Sequence, residues 1–163
     1  MKIWHGLKIN YFLTIVIACV KKGFFVNPFL LYSQAYHETG NFTSNIFKHN
    51  KNLFGMKKAT VRDTTAIGEA SGHATYNSLS DSVIDYILRQ RDFKIKPRLF
   101  NDNQYMLDTL NSNYAEDTNY LSKWQNIHKT LQDNNKIIAI IIVFVPFASI
   151  VLLSIFLYKK YVN

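Results

Sequence analysis

Cysteine occurs once in this 163-residue chain, proline three times and glycine six times. The lone Cys19 cannot close an intramolecular disulfide, so the fold does not depend on an oxidising compartment. It sits in an apolar stretch and reads as a small buried hydrophobe. No His/Cys/Asp cluster has metal-ligand spacing and no glycine-rich phosphate loop is present, so neither a metal nor another cofactor is expected. Acidic residues are scarce, 11 against 19 Lys and Arg, for a net charge of +8. Nucleic acid, anionic lipid or an anionic wall polymer would suit that balance. There is no Lys/Arg run with interleaved aromatics, and nucleic acid is not an expected partner.

Apolar residues make up 48% of the chain and aromatics 15%, which excludes disorder. Much of the apolar content lies in residues 137–157, IIAIIIVFVPFASIVLLSIFL, with no charge inside. As a helix this run spans about 30 Å, the thickness of a bilayer core. Pro146 would kink it, and Lys136 and Tyr158, Lys159, Lys160 and Tyr161 flank it as interfacial anchors. The expectation is a domain over 1–133 and a C-terminal anchor over 134–163, with one transmembrane helix at about 137–158. The positive-inside rule leaves the Lys159–Lys160 end in the cytoplasm and the domain outside.

A second apolar stretch, Tyr11 to Val20, has no A-x-A site after it and runs into Lys21 and Lys22. It reads as the first core helix, ending near Gly23, rather than as a signal peptide. Asn27 and Pro28 form an N-cap and first-turn proline, and the next helix stops at Thr39–Gly40. A polar loop with scattered aromatics follows, then a short β-hairpin lobe between Lys58 and Tyr76. Ser78 and Asp81 make a capping pair ahead of Val83, Ile84, Ile87 and Leu88 at helical spacing. A short helix is expected over Asn103–Leu110. Thr118 is the expected cap of a last helix with Tyr120, Leu121, Trp124, Ile127, His128 and Leu131 on one face. The fold class is mostly α with one small β lobe.

Four blocks carry a resemblance. They are Gln34-Ala35-Tyr36-His37-Glu38-Thr39-Gly40, Asn52-Leu53-Phe54-Gly55-Met56-Lys57, Tyr76-Asn77-Ser78-Leu79-Ser80-Asp81-Ser82, and Tyr114-Ala115-Glu116-Asp117-Thr118-Asn119-Tyr120. In this order they resemble the peptidoglycan glucosaminidase family, whose members cut wall glycan strands in autolysins, flagellar hydrolases and phage lysins. The family pattern has an aromatic–basic pair before the Tyr-x-Ser tyrosine, where this chain has His73 and Ala74, and the lobe before it is short here. The resemblance implies an α+β lysozyme-like fold and cleavage of the β-1,4 bond of GlcNAc/MurNAc strands. It also implies that Tyr76, Tyr114 and Tyr120 line the cleft, with Asn52 and Phe54 at its floor as substrate-binding residues.

Glycosidic cleavage needs a carboxyl that still holds a proton near neutral pH. Glu38 ends its helix, where the partial negative charge disfavours ionisation, and Tyr36, Phe42, Phe47 and Phe54 are positioned to exclude water. An exposed helix-end glutamate without a role is the bland alternative. Glu69, or else Asp63, is the candidate second carboxylate; a third mechanism uses the substrate's own N-acetyl oxygen and needs neither. His37 points about 100° from Glu38 along the helix and is set aside. Muramidase and lytic transglycosylase are the rival activities, and a degenerate wall-binding protein is the non-enzymatic alternative. The expected location is a membrane with the domain facing the cell wall, in a bacterial envelope or a membrane-containing virion, for wall lysis or penetration by a phage.

Overall fold

Residues 7–135 are described by the computed structural model. They form six helices and one hairpin: α1 (Ile9–Lys21), α2 (Pro28–Glu38), α3 (Asn45–Asn50), β1 (Gly68–Ala70), β2 (His73–Thr75), α4 (Leu79–Asp92), α5 (Asp102–Asn111) and α6 (Tyr120–Asn134). Helix α2 is the centre, packed on α6 and α1, while α1 packs on α4. Seven consecutive α2 residues, Phe29 to Ala35, are buried. The polar members of that run are satisfied: Trp124 Nε1 donates to Ser33 Oγ (2.9 Å), and Ser33 donates to the Leu30 carbonyl (2.7 Å).

The start of α2 matches its sequence signature, with the Asn27 side chain accepting from Phe29 N and Pro28 in the first turn. Its end is a Schellman-type turn, in which Asn41 N bonds to the Tyr36 carbonyl and Gly40 adopts φ +54°. Ser78 caps α4 by accepting from Asp81 N, and its hydroxyl also donates to the Asp81 carboxylate. Elsewhere the structure departs from expectation. The polar loop contains α3, begun by a Ser44 cap on Phe47 N and ended by Lys51 in the left-handed region. Thr118 does not cap α6. The N-cap is Asn119, which makes no side-chain cap bond, and the Asp117 carboxylate instead accepts from Asn119 N. Helix α1 buries Phe12, Ile15, Ala18 and Cys19 but leaves Ile9, Leu13, Ile17 and Val20 exposed on its outer face.

The hairpin pairs β1 and β2 antiparallel, Glu69 opposite Ala74. Two asparagines fasten it. Asn50 Nδ2 donates to the Ala70 carbonyl, and Asn52 Nδ2 to the carbonyls of Met56 (2.8 Å) and Ala74 (3.0 Å). No helix among the described residues is long and apolar enough to cross a membrane. The expected span at 137–158 lies outside the described residues.

Candidate active site

The Asn52–Lys57 block is a loop folded around one side chain. While Asn52 Nδ2 holds two carbonyls, its Oδ1 accepts from Phe54 N and Met56 N. A fully buried amide that meets four backbone groups fixes the loop's shape. Phe54 is buried and stacked on Tyr86 with ring centroids 4.2 Å apart. Its carbonyl accepts from Tyr114 Oη (2.6 Å), which ties the loop to the segment after α5. This anchoring sets Gly55 in the left-handed region, φ +60°, directly against Glu38. A Cβ at position 55 would stand 2.9 Å from Glu38 Oε2.

Glu38 is half-buried at the floor of a cleft of about 580 Å³. The segment 57–62 forms one wall; Arg89, Asp92 and Phe93 at the end of α4 form another, and Asn113, Tyr114 and Glu116 complete the lining. Burial pushes the Glu38 carboxyl up to about 7, against a partial counter-pull from the hydrogen bond that Tyr120 Oη donates to Oε1. The negative end of α2 acts in the same direction as burial. Asp92 and Glu116, the other carboxyls of the lining, are exposed. Cations are plentiful on the walls: Lys57, Lys58, Arg62 and Arg89. Arg89 is held between two rings, 4.4 Å from the Phe93 centroid and 4.7 Å from that of Tyr114.

Of the residues singled out in the sequence, Glu38, Phe54 and Tyr114 line the cleft, Phe54 with its ring turned into the core. Tyr120 touches Glu38 directly. Asn52 shapes the loop beneath the carboxyl, because all its polar capacity goes to backbone. Glu69, on β1, and Asp63, in the segment before it, are exposed and are not among the lining residues. Tyr76 is buried away from the cleft and donates to Asp85 Oδ2 (2.8 Å). His37 packs its ring on that of Tyr120, 5.1 Å between centroids, and burial keeps its pKa below the ordinary value.

Asp85 is the residue the sequence reading missed behind Tyr76. It is fully buried on α4 and accepts from Arg62 Nη1 and Nη2, at 2.8 and 3.2 Å. Burial alone would raise its carboxyl, but hydrogen bonds from Arg62, Thr64 and Tyr76 outweigh burial and hold it below the ordinary value. The pair fixes the cleft wall at Arg62 to α4. Arg62→Leu would leave a buried carboxylate without its cation, and we expect a loss of about 3 kcal/mol in a urea titration at pH 7. Among the described residues no cluster of three or more His, Cys, Asp or Glu could hold a metal ion.

A half-buried acid beneath an aromatic and cationic groove, on a mostly helical scaffold with one small hairpin, has the makings of a sugar-cleaving enzyme. Residues 17–133 match the family model for glucosaminidase, mannosyl-glycoprotein endo-beta-N-acetylglucosaminidase, and the chain belongs to that family of glycoside hydrolases. Two solved structures share the fold. One is a type VI secretion system effector–immunity complex from Pseudomonas protegens (13% identity, TM-score 0.59), with 79% of this chain and 96% of that chain covered. The other is the catalytic domain of the autolysin Auto from Listeria monocytogenes (15% identity, TM-score 0.52), with 78% and 82% covered. No curated protein sequence matches the chain.

Proposed function

We propose that this glycoside hydrolase cleaves the β-1,4 bond of GlcNAc/MurNAc strands in peptidoglycan, with Glu38 as the general acid. The observation that carries the proposal is a half-buried carboxyl on the floor of an open cleft, where burial pushes its pKa up to about 7. Glu38 gives that proton to the glycosidic oxygen as the C1–O bond breaks and its electron pair leaves with the oxygen. Glu69 and Asp63 stand outside the lining, whose other carboxyls are the exposed Asp92 and Glu116; one mechanism needs no second protein carboxylate at all. There the substrate's acetamido oxygen attacks C1, and water later opens the ring so formed. The cations Lys57, Lys58, Arg62 and Arg89 suit a strand whose muramic units carry carboxylates.

Digestion of peptidoglycan by the full-length protein, followed by borohydride reduction, is the test. The expected product ends in reduced GlcNAc. Reduced MurNAc would indicate a muramidase, an anhydro-sugar a lytic transglycosylase, and no product at all would overturn the assignment. As the acid must be protonated, kcat is expected to fall as pH rises through about 7. The apolar run at 137–157 supports a membrane tether from sequence alone, with the domain on the wall side as in a phage lytic protein. Protease protection of the domain in sealed vesicles checks that topology.

A further inference from the structure

The core holds a chain of buried polar side chains that ends on Glu38. Arg89 Nη1 donates to Gln90 Oε1 (3.0 Å), and Gln90 Nε2 donates to Tyr86 Oη (2.7 Å). Tyr86 Oη donates to Gln34 Oε1 (2.7 Å), Gln34 Nε2 to Tyr120 Oη (3.3 Å), and Tyr120 Oη to Glu38 Oε1. Gln34, Tyr86 and Gln90 are fully buried. None of the three lines the cleft.

A guanidinium only donates, so Gln90 must turn its oxygen to Arg89 and its NH₂ to the hydroxyls of Tyr86, Tyr105 and Thr109, at 2.7, 2.7 and 2.9 Å. The Tyr86 oxygen is then an acceptor, and its proton has to point to the Gln34 oxygen. Gln34 in turn presents its NH₂ to Tyr120, whose proton is left for Glu38. Tyr105 Oη lies 3.0 Å from Tyr86 Oη and accepts from Gln90 Nε2 (2.7 Å); with the Tyr86 proton on Gln34, Tyr105 is left as the donor of that pair. Each bond polarises the next, and all run one way.

We propose that Arg89, Gln90, Tyr86 and Gln34 are positioning residues that fix Tyr120 as a donor to Glu38 Oε1, so that the transferable proton resides on Oε2. Oε2 is the oxygen that meets Gly55, whose Cβ position lies 2.9 Å away and which lines the cleft. An acid free to carry its proton on either oxygen would spend part of its time with the proton turned into the core. The relay removes that option.

The inference concerns the acid assigned above and rests on that assignment only for its catalytic meaning. Other groups around Glu38 are Tyr114 from the loop after α5, and Lys57, Lys58, Arg62, Asp92 and Glu116 around the cleft; none belongs to the chain of bonds, and all remain in the variants. Two variants outside the cleft break the relay: Tyr86→Phe, which keeps the ring on Phe54, and Gln90→Met, which keeps the volume. The 163-residue chain carries three glutamates, Glu38, Glu69 and Glu116, so carbon-13 labelling of their carboxyls gives three titrations, with Glu38 assigned by its loss in Glu38→Gln.

A slack Tyr120 bond stabilises the carboxylate less. Both variants should raise the Glu38 midpoint by about half a pH unit and lower kcat about threefold to tenfold at unchanged KM. Wild-type midpoints and kcat in both variants overturn the relay. A shift in Tyr86→Phe alone overturns its anchorage at Arg89. Should Glu38→Gln digest peptidoglycan at full rate, the functional assignment falls, while the carboxyl titration still decides the relay.

Discussion

Glu38→Gln is expected to lower kcat on peptidoglycan by about 10²–10⁴-fold, the range that a positioned general acid supplies. The amide keeps the shape and can still accept from Tyr120, so the loss reports the proton rather than the packing. The same substitution should change stability in a pH-dependent way. Burial raises the folded-state carboxyl from 4.5 to about 7. Below pH 4.5 it is protonated in both states and has no effect on stability. As pH rises from 4.5 to about 7 the unfolded chain loses its proton first, and folding is progressively disfavoured. Above 7 the cost is complete, at most about 3 kcal/mol. Glu38→Gln removes that cost, so its Tm should exceed that of the parent at pH 8 and converge with it at pH 4. Calorimetry at the two values is the check. A carboxyl of ordinary acidity would give equal differences at both.

Gly55→Ala should be nearly as damaging to activity, through position alone. The backbone at 55 is left-handed, a conformation that costs an alanine about 1–2 kcal/mol. The added methyl would lie 2.9 Å from Glu38 Oε2, and either the loop or the carboxyl has to move. The loop is held by four bonds from Asn52 and one from Tyr114, so the carboxyl is the softer partner. A displacement of even 1 Å at the acid costs about 100-fold in rate. We expect kcat to fall by that order with a loss of stability of about 2 kcal/mol or less. A variant that retains half of the parental kcat would show that the fit between Gly55 and Glu38 is unimportant.

Much of the scaffold was legible because it is built from signals that act locally. The Asn27–Pro28 and Ser78–Asp81 caps and the apolar stripe of α6 depend on neighbours three or four residues away, and each lies where its pattern implies. The place of Glu38 at the end of α2 was legible for the same reason, while its assignment as the acid came from the family resemblance. The polar interior was not legible. On α4 the apolar stripe revealed Val83 and Ile87, yet Ser82, Asp85, Arg89 and Gln90 are buried as well. Periodicity reports only apolar side chains, and the burial of Asp85 depends on Arg62 and Tyr76 from elsewhere in the chain. That distant pairing removed Tyr76 from the cleft. Glu69 was preferred for its place in the lobe, but it is exposed on β1 and outside the cleft lining.

Helices α2 and α6 run in opposite directions. Tyr120, at the start of α6, meets Glu38 at the end of α2, Trp124 meets Ser33 and Leu30, and His128 shares Asp102 with Asn27 at the other end. The 15 residues of α6 carry the chain about 22 Å from the carboxyl before the hydrophobic run begins. The described chain therefore ends, at Asn135, a helix length from the acid, so a tether of the kind proposed would attach away from Glu38 rather than beside it.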